Sequence, residues 1–480
     1  MTTIKALRGA AISFRGNPFE QPAEACLVHF EDALVVIENG KIRTVGPYSE
    51  LVTQLPAGVV PTEYRDALIS AGFIDTHVHY PQVQMIGAYG SQLLEWLNKY
   101  TFVTEQKYAD EAYAKSAAKL FLRELLRAGT TTAAVYCTVH PQSVNAFFEE
   151  STRFNTCMVA GKVLMDRNAP EALLDTAQRG YDESEALIGR WHQKGRQHYC
   201  VTPRFAPTST EAQLEAAGAL LRKSDSVFMQ THLCENQSEI EWVLRLFPKR
   251  SSYLDVYAHA GLVGRRSVFG HAVYMTEQDF CTCHDTGAAL AHCPTSNLFL
   301  GSGLFRLFDA VDPRRPVRVG LGTDVGAGTS LSQLQTLNES YKVSALAGTK
   351  LNATQSFYLA TLGGAHALYL DHRLGKLEPG FDADICILDC KATPLLEFRS
   401  SHCESLEELL FVLMTIGDDR AVRATYVAGE CVYDRDREDE KFRYPAAGGG
   451  GNGGLHIFRD EEVDVTNHPL EFIGRFCNFP

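Results

Sequence analysis

Short apolar runs alternate with amphipathic stretches along most of this chain, from Ala71 onward. In the first complete repeat, residues 108–128 place apolar side chains at helical spacing, Gly129 ends the helix, and an apolar run follows at 130–136. This alternation is typical of β/α units around a parallel sheet. Counting the run before His77, the sequence contains eight such runs and predicts a (β/α)8 barrel. The later runs are 130–136, 157–161, 199–202, 227–231, 267–270, 288–291 and 317–321.

Polar side chains stand at the ends of several of these runs. His77 and His79 alternate at the end of the first, so both imidazoles point to one face. His232 and His271 each follow a later run directly, and Asp324 follows the last. Barrel enzymes place their chemistry at the C-terminal strand ends, and imidazole and carboxylate suit a divalent ion such as Zn²⁺. The sequence therefore predicts His77, His79, His232 and Asp324 as ligands of one metal, with a position left for water.

The two ends of the chain differ from this repeat. Residues 4–69 have the pattern of short strands and turns, with Asn39 and Gly40 forming one of the turns. Beyond about Asp434, a charged run leads into a glycine-rich stretch at 446–454, which is typical of a flexible connector. Neither end contains a recognisable catalytic constellation.

The charge balance excludes several classes of partner. The 480 residues include 45 Lys and Arg against 58 Asp and Glu, a net charge of −13, and no basic run interrupts this excess. We therefore expect no nucleic acid and no anionic membrane as partner. The N-terminus has no apolar signal-peptide core, and nowhere do about 18 apolar residues follow one another, so neither secretion by signal peptide nor a membrane span is expected.

The thirteen cysteines are an odd number without a repeating spacing. This pattern favours reduced thiols and a cytoplasmic protein over a disulfide framework. One cluster resembles a zinc site superficially, but its spacing matches no structural zinc module, and we expect buried thiols and turn residues instead. The cluster consists of Cys281, Cys283, His284, His292 and Cys293.

Several stretches resemble the amidohydrolase superfamily and, within it, the guanine deaminase subgroup. The His-x-His strand end is common to the superfamily, whereas Pro81-Gln82, the Leu-Leu-Glu-Trp-Leu segment at 93–97 and Pro203-Arg204-Phe205 are specific to the subgroup. The resemblance covers most of the barrel and continues to residues 380–384. The resembling stretches are 72–82, 93–102, 202–205, 231–237, 292–297 and 322–328.

The resemblance implies an α/β fold in which a (β/α)8 TIM-like barrel is joined to a smaller β-sandwich domain. Residues 1–69 and 375–440 would form the sandwich, 70–374 the barrel, and 441–480 a connector and tail with no counterpart in the family. The resemblance also implies a cytoplasmic homodimer with one Zn²⁺ per chain. The same ligand types suit iron, so the sequence leaves the choice between zinc and iron open.

The resemblance further implies that guanine and water are the substrates, and that guanine is deaminated to xanthine and ammonia. Gln82, Arg204 and Phe205 match positions that contact the purine, and Trp96 and Leu97 match a segment that closes over it. The residue types agree with these roles. An arginine offers a fork of donors to the O6 carbonyl, an amide both donates and accepts, and aromatic rings cover the flat faces of a base.

Three residues are candidates for proton transfer. Glu235 and Asp324 match the family's proton shuttles, His271 matches the residue that hydrogen-bonds the attacking water, and His232, Glu235 and Asp324 complete the predicted substrate contacts. Asp324 can accept a proton from water and deliver it to the leaving amine. The ring nitrogen N3 needs a protonated carboxyl beside it, which Glu235 supplies if burial raises its pKa.

Binuclear relatives bridge two metals with a carboxylated strand lysine, and Lys162 is the candidate for that role here. We expect one metal, because the His and Asp set already completes a mononuclear site, and we expect Lys162 to hold a loop or an ion pair.

Two other functions remain open. One is a barrel enzyme that acts on cytosine, a pterin or a triazine, and the other is a non-catalytic barrel scaffold that binds proteins. Gln82, Arg204 and Phe205 favour the purine, and the complete set of metal ligands argues against the scaffold.

Overall fold

The computed structural model describes residues 3–90 and 93–437. The connector and tail predicted at 441–480 lie outside the described residues, as does the end of the charged run before them. The described strands are β1 (Ile4–Phe14), β2 (Leu27–Glu38), β3 (Lys41–Pro47), β4 (Thr62–Ala71), β5 (Phe73–His79), β6 (Thr130–Tyr136), β7 (Cys157–Gly161), β8 (Val163–Leu164), β9 (His198–Pro203), β10 (Phe228–Leu233), β11 (Ser267–His271), β12 (Ala289–His292), β13 (Arg318–Leu321), β14 (Ile385–Asp389), β15 (Val422–Val427) and β16 (Glu430–Asp434).

The helices connect these strands and cover the barrel. The α-helices are α1 (Ala23–Cys26), α2 (Tyr48–Leu51), α3 (Leu93–Trp96), α4 (Phe102–Glu105), α5 (Glu111–Arg127), α6 (Pro141–Phe154), α7 (Ala177–Trp191), α8 (Glu211–Leu221), α9 (Gln237–Leu246), α10 (Tyr253–His259), α11 (Glu277–Thr286), α12 (Pro294–Phe299), α13 (Leu307–Ala310), α14 (Gln333–Leu346), α15 (Ala353–Ala360), α16 (Leu362–Ala367), α17 (Pro394–Ser400) and α18 (Leu406–Ile416). Single turns of 3-10 helix occur between them, and Leu97–Thr101 forms a π-helical turn between α3 and α4.

Parallel strands form the barrel in the order β5, β6, β7, β9, β10, β11, β12 and β13, with the short β8 paired beside β9. Two backbone hydrogen bonds join its first and last segments: the Asp324 amide donates to the His77 carbonyl at 2.9 Å, and the His79 amide donates to Val325 at 3.0 Å. All seven residues of β5 are buried, as expected where both faces of a parallel strand are covered. The prediction of a (β/α)8 barrel, with each of its eight strands, is confirmed.

The smaller unit is a mixed seven-stranded sheet in the order β16, β15, β14, β4, β1, β2 and β3. It combines strands from both ends of the described chain, since Ile385 of β14 pairs with Ala71 of β4. Gly72 is the single residue between β4 and β5, and a Cβ at this position would lie 2.4 Å from Thr131 Oγ1. The chain therefore passes from the small sheet into the barrel without a linker. The residue boundaries proposed above for the domains stay predictions.

The first β/α unit shows how local sequence sets the element ends. The helix expected at 108–128 is α5, which begins at Glu111 because the Asp110 side chain accepts a hydrogen bond from the Tyr113 amide at 2.9 Å. Gly129 ends it with a φ of +82°, which a residue with a side chain rarely adopts. Phe121 and Leu125 bury the apolar face of the helix against the barrel core.

No helix in the described part of the chain is long and apolar enough to cross a bilayer. The twelve cysteines within the described ranges are free thiols. In the cluster noted above, Cys283, His292 and Cys293 are buried, whereas His284 is exposed and bonds through Nδ1 to the Pro316 carbonyl at 2.8 Å.

Candidate metal centre and substrate pocket

The four predicted metal ligands converge at the C-terminal end of the barrel. Their ligand atoms all lie within 4.8 Å of one another. His79 Nε2 is 3.1 Å from His232 Nε2, and Asp324 Oδ1 is 3.3 Å from His77 Nε2 and 3.4 Å from His79 Nε2. Strands β5 and β10 supply the histidines, and the loop after β13 supplies the aspartate. We call these four residues the metal-binding floor.

Backbone groups and two glycines orient the imidazoles of the floor. His232 Nδ1 donates to the Arg204 carbonyl at 2.7 Å, which leaves Nε2 as the free acceptor nitrogen facing the cluster. His77 lies against Gly270 and Gly322. A Cβ at Gly270 would lie 2.4 Å from His77 Cε1, and one at Gly322 would lie 2.8 Å from His77 Cβ. A side chain at Gly270 would therefore collide with the imidazole ring, and one at Gly322 would collide with the Cβ that carries it.

Asp75 lies beneath the floor and ties two barrel segments together. Its Oδ1 accepts hydrogen bonds from the His77 and Thr323 amides, each at 3.1 Å, and its Oδ2 accepts one from the Thr323 hydroxyl at 2.5 Å. Complete burial raises the pKa of Asp75 to about 7, against the opposing effect of these donors. Asp75 thus fixes the strand that carries two ligands relative to the loop that carries Asp324.

The donor chemistry of the floor fits a divalent metal ion. Burial lowers the pKa of His77 and holds those of His79 and His232 well below the usual range, so the three imidazoles are neutral, as metal ligands must be. His77 Nε2 is buried and has no hydrogen-bond partner among the described residues. Burial alone would raise the pKa of Asp324, but His77, His271 and His79 outweigh it and keep the carboxylate ionised.

His271 stands beside the floor and faces Glu235. Its Nδ1 donates to Asn297 Oδ1 at 2.8 Å, and its Nε2 lies 3.5 Å from Glu235 Oε2 and 3.7 Å from Asp324 Oδ2. Burial alone would lower the pKa of His271, but the two carboxylates raise it overall. His271 is therefore held where its Nε2 can exchange a proton or hydrogen bond with either carboxylate. It also lies near His77 and Cys293 in a second, three-residue group of possible ligands.

Glu235 is a buried carboxyl with an elevated pKa. Burial raises this pKa to about 7, with His271 opposing the shift and Glu239 and Asp324 adding to it. The Ser302 hydroxyl donates to Glu235 Oε1 at 2.9 Å, and Glu239 accepts from the Glu235 amide at 2.9 Å. The pKa values of the two carboxyl groups of the pocket are therefore shifted in opposite directions, so Asp324 is ionised and Glu235 can carry a proton near neutral pH.

One pocket joins these groups to the predicted base-contacting residues. Trp96 and Leu97, in α3 and the π-helical turn, form an apolar side of this pocket together with Phe205. The Trp96 indole is fixed because its Nε1 donates to the Ala88 carbonyl at 3.1 Å. The residues that line the pocket are His79, Gln82, Leu93, Trp96, Leu97, Arg204, Phe205, His232, Glu235, His271, Leu300, Asp324 and Ala327.

The sequence did not point to Glu105, which lies at the end of α4. Arg204 Nη1 donates to both Glu105 oxygens, at 2.9 and 2.7 Å, and Gln82 Nε2 donates to Oε1 at 3.3 Å. Gln82 Oε1 in turn accepts from the Gly326 amide at 3.2 Å. We call Gln82, Glu105 and Arg204 the polar wall. Glu105 and Arg204 are 99 residues apart, so only their common position in the fold reveals the pair.

Lys162 lies outside the metal-binding floor and is completely buried. Its Nζ donates to the Val139 carbonyl at 2.6 Å, forms an ion pair with Asp175, and lies 3.3 Å from Glu183 Oε2. The prediction that Lys162 holds an ion pair is confirmed.

A parallel eight-stranded barrel with His-x-His on its first strand, and with a histidine and an aspartate on later strand ends, defines the class of metal-dependent hydrolases to which this chain belongs. It is a member of the amidohydrolase family, whose model matches residues 68–432. The chain is 49% identical to the guanine deaminase of Escherichia coli (strain K12) over 436 residues, which cover 90% of this chain and 99% of that relative.

Solved structures give the same result. The structure of E. coli guanine deaminase matches with a TM-score of 0.87 and 47% identity, and the match covers 90% of this chain and 100% of that chain. The crystal structure of guanine deaminase from C. acetobutylicum with guanine bound in its active site matches with a TM-score of 0.80 and 26% identity, over 90% of this chain and 100% of that one.

Proposed function

We propose that this protein is a guanine aminohydrolase, which converts guanine and water to xanthine and ammonia. One observation supports the proposal above all others: a single pocket is lined by three of the four floor residues, by Glu235 with its raised pKa, and by every residue expected to contact a purine. The relatives described above, which match 90% of this chain, are guanine deaminases by name.

We propose that His77, His79, His232 and Asp324 hold one Zn²⁺ per chain. The site combines imidazole nitrogens and one carboxylate, which is a common zinc donor set. The lowered pKa values of all four groups favour the neutral imidazoles and the ionised carboxylate that metal binding requires. A bound zinc ion supplies Lewis acidity, which makes water a competent nucleophile at neutral pH. Elemental analysis of the purified protein tests this assignment, and about one equivalent of iron in place of zinc would refute it.

The chain's own residues move the protons of the reaction. Asp324 accepts a proton from the attacking water as the oxygen bonds to C2, and Glu235 donates its proton to N3, so the ring takes up no net negative charge. Asp324 then delivers its proton to the amino group at C2, and the C–N bond breaks to release ammonia. Glu235 recovers a proton from the new hydroxyl on C2 as its C=O bond forms, and the hydrogen on N3 stays there, as in xanthine. The opposite pKa shifts of the two carboxyls support this division of roles.

The polar wall and the aromatic residues orient the base. Arg204 offers N–H donors to the O6 carbonyl, and Gln82 offers its remaining N–H and its oxygen to the ring edge. Phe205 and Trp96 bound the pocket at positions that suit contact with the faces of the purine. Leu97 closes the same side.

The assay that tests this function compares guanine with adenine, cytosine and ammeline under identical conditions. We expect turnover of guanine and rejection of adenine by about 10⁴-fold or more. In the orientation of guanine, adenine would place its 6-amino group against the Arg204 donors and would have no leaving amine on C2. Equal turnover of the two purines would overturn the proposal. Turnover of cytosine or ammeline in preference to guanine would favour the alternative heterocycles.

Three further statements accompany the proposal. We propose a homodimer, and light scattering of the eluting protein tests it against a monomer. We propose a cytoplasmic location, which the free thiols support and cell fractionation tests. We also propose that residues 1–69 and 375–440 fold together as one domain beside the barrel at 70–374, which limited proteolysis tests.

A further inference from the structure

A buried carboxylate stands behind the residues that are expected to read the base. Glu105 is 0% exposed and Arg204 3%, and the Gln82 side chain is also buried. Burying a charge is costly unless it is paired and hydrogen-bonded, and Glu105 meets both conditions through Arg204 and Gln82. The proton transfers described above do not use Glu105.

The hydrogen bonds of the wall fix the orientation of the Gln82 amide. An ionised carboxylate only accepts, so the Gln82 nitrogen must face Glu105, and a backbone N–H only donates, so the Gln82 oxygen must face Gly326. The alternative orientation would place two acceptors together at Glu105 and two donors together at Gly326. Gln82 therefore presents one defined pattern of donor and acceptor to the pocket.

The same contacts fix Arg204. Both Glu105 oxygens bind Nη1, so this nitrogen is committed to the wall. The Arg204 carbonyl meanwhile accepts the bond from His232 Nδ1 that orients a floor ligand. Phe102, three residues before Glu105 at the start of α4, lies against the guanidinium, with Arg204 Cζ 5.5 Å from its ring centre. Arg204 thus links the floor to the segment that carries Glu105.

We propose that Glu105 is a positioning residue that determines specificity for a carbonyl oxygen at position 6 of the purine. It acts through Arg204 and Gln82, which it holds in one donor arrangement before the base arrives. This inference rests on the proposed function, since it concerns recognition of the same substrate. A misplacement of about 1 Å can cost about 10²-fold in rate, so release of Arg204 from Glu105 has a measurable effect.

The test uses the full-length, metal-loaded protein and two purines. Guanine is the substrate, and 2,6-diaminopurine keeps the 2-amino group but replaces the O6 carbonyl with an amine. For Glu105→Gln we expect the KM for guanine to rise about 10- to 100-fold while kcat changes less. The Ki of 2,6-diaminopurine should change by less than the guanine KM, so discrimination between the two purines falls. The zinc content should equal that of the unchanged protein.

A matched control separates positioning from general loss of a buried ion pair. Asp384 is also a buried carboxylate paired with an arginine, at 2.6 Å from Arg196, but neither residue lines the pocket. Asp384→Asn should lower thermal stability and leave the guanine KM and the discrimination unchanged. Glu105→Gln with unchanged guanine KM and unchanged discrimination would overturn the proposal, as would an equal loss of discrimination in Asp384→Asn.

A double variant keeps the proposal testable if Glu105→Gln alone does not fold. Glu105→Gln/Arg204→Gln removes both buried charges, and its guanine KM should lie within about threefold of that of Arg204→Gln, because the two residues act as a unit. If the rise in guanine KM in the double variant instead equals the product of the rises in the two single variants, Glu105 does not act through Arg204. Absence of guanine turnover by the unchanged protein would refute the proposed function itself, whereas turnover with unaffected Glu105 variants would refute only this inference.

Discussion

The metal-binding floor and the polar wall both contribute side chains to one pocket, but they differ in how their buried polar groups are satisfied. The floor leaves buried nitrogens without hydrogen-bond partners among the described residues, such as His77 Nε2 and His79 Nδ1. In the wall, Arg204, Glu105 and Gln82 satisfy one another within the protein. Unpaired buried polar groups are costly, so under the proposed function we expect a cation to satisfy His77 Nε2, whereas the groups of the wall are already paired within the protein.

The difference follows from where the residues stand. The floor is built at the ends of barrel strands, which the sheet holds in register and which Asp75 ties to the Asp324 loop. The wall joins segments around residues 82, 105 and 204, and one buried ion pair holds α4 to the barrel. Removal of a bound cation should therefore destabilise the floor before the wall. Removal of the charge on Glu105 or Arg204 should destabilise the wall before the floor.

The largest effect is expected from Asp324→Asn, which breaks the floor. The amide cannot accept the water proton and is a weaker ligand, so both metal content and turnover should fall, the latter by about 10⁴-fold or more. Elemental analysis and a guanine assay measure the two losses together. A variant that keeps its zinc and a tenth of its activity would show that Asp324 is neither ligand nor base.

The Glu235→Gln variant tests the proposed role of Glu235 as proton donor. The amide keeps the shape and has no transferable proton, so turnover should fall roughly 10²- to 10⁴-fold while the metal stays bound. The measurement pairs single-turnover kinetics with metal analysis. Loss of the metal in this variant would move Glu235 into the floor and contradict its assignment as a proton donor.

Metal removal should lower the thermal stability of the protein through the floor and not through the wall. A ligand that binds only the folded state at 1,000 times its Kd stabilises that state by about 4 kcal/mol, so dialysis against a chelator should lower the Tm by several degrees. Glu105→Gln should show the same drop on metal removal as the unchanged protein, because the wall is satisfied without the cation. Equal Tm values with and without chelator would mean that the floor tolerates its unpaired nitrogens.

The smallest expected effect is a shift in pH dependence. Glu235 must be protonated to act, so with a pKa of about 7 its contribution is present below that pH and is lost as the pH rises through it. The Ser302 hydroxyl bond favours the charged form and lowers this pKa. Ser302→Ala should therefore move the descending limb of the kcat profile to higher pH. Movement to lower pH would show that Ser302 instead stabilises the protonated form.

The sequence predicted those parts of the molecule that depend on local pattern. The eight barrel strands follow from the alternation of apolar runs with helices, and the meeting of His77, His79, His232 and Asp324 follows from their positions at strand ends. Their role as metal ligands stays a prediction. The start of α5 was placed three residues early, because a capping side chain at Asp110 decides it rather than apolar spacing.

The residues that sequence reasoning missed act through tertiary contacts. In the sequence, Glu105 is indistinguishable from an ordinary charged residue of a short helix, and no residue near it in the chain indicates a partner 99 residues away. Asn297 of α12 and Ser302 in the segment after it likewise acquire their roles only through contacts with His271 and Glu235. Such contacts have no period in the sequence, so a three-dimensional arrangement is needed to find them.

The two glycines around His77 have a consequence for protein design. Gly270 leaves space for the imidazole, since a methyl group there would lie 2.4 Å from the ring, and Gly322 leaves space for the His77 Cβ, which a methyl group would approach to 2.8 Å. A transplant of His77, His79, His232 and Asp324 into another barrel would therefore fail wherever the host has side chains at those two places. A transplant of this centre therefore requires six residues: the four polar side chains and the two glycines, which are needed because they have no side chain.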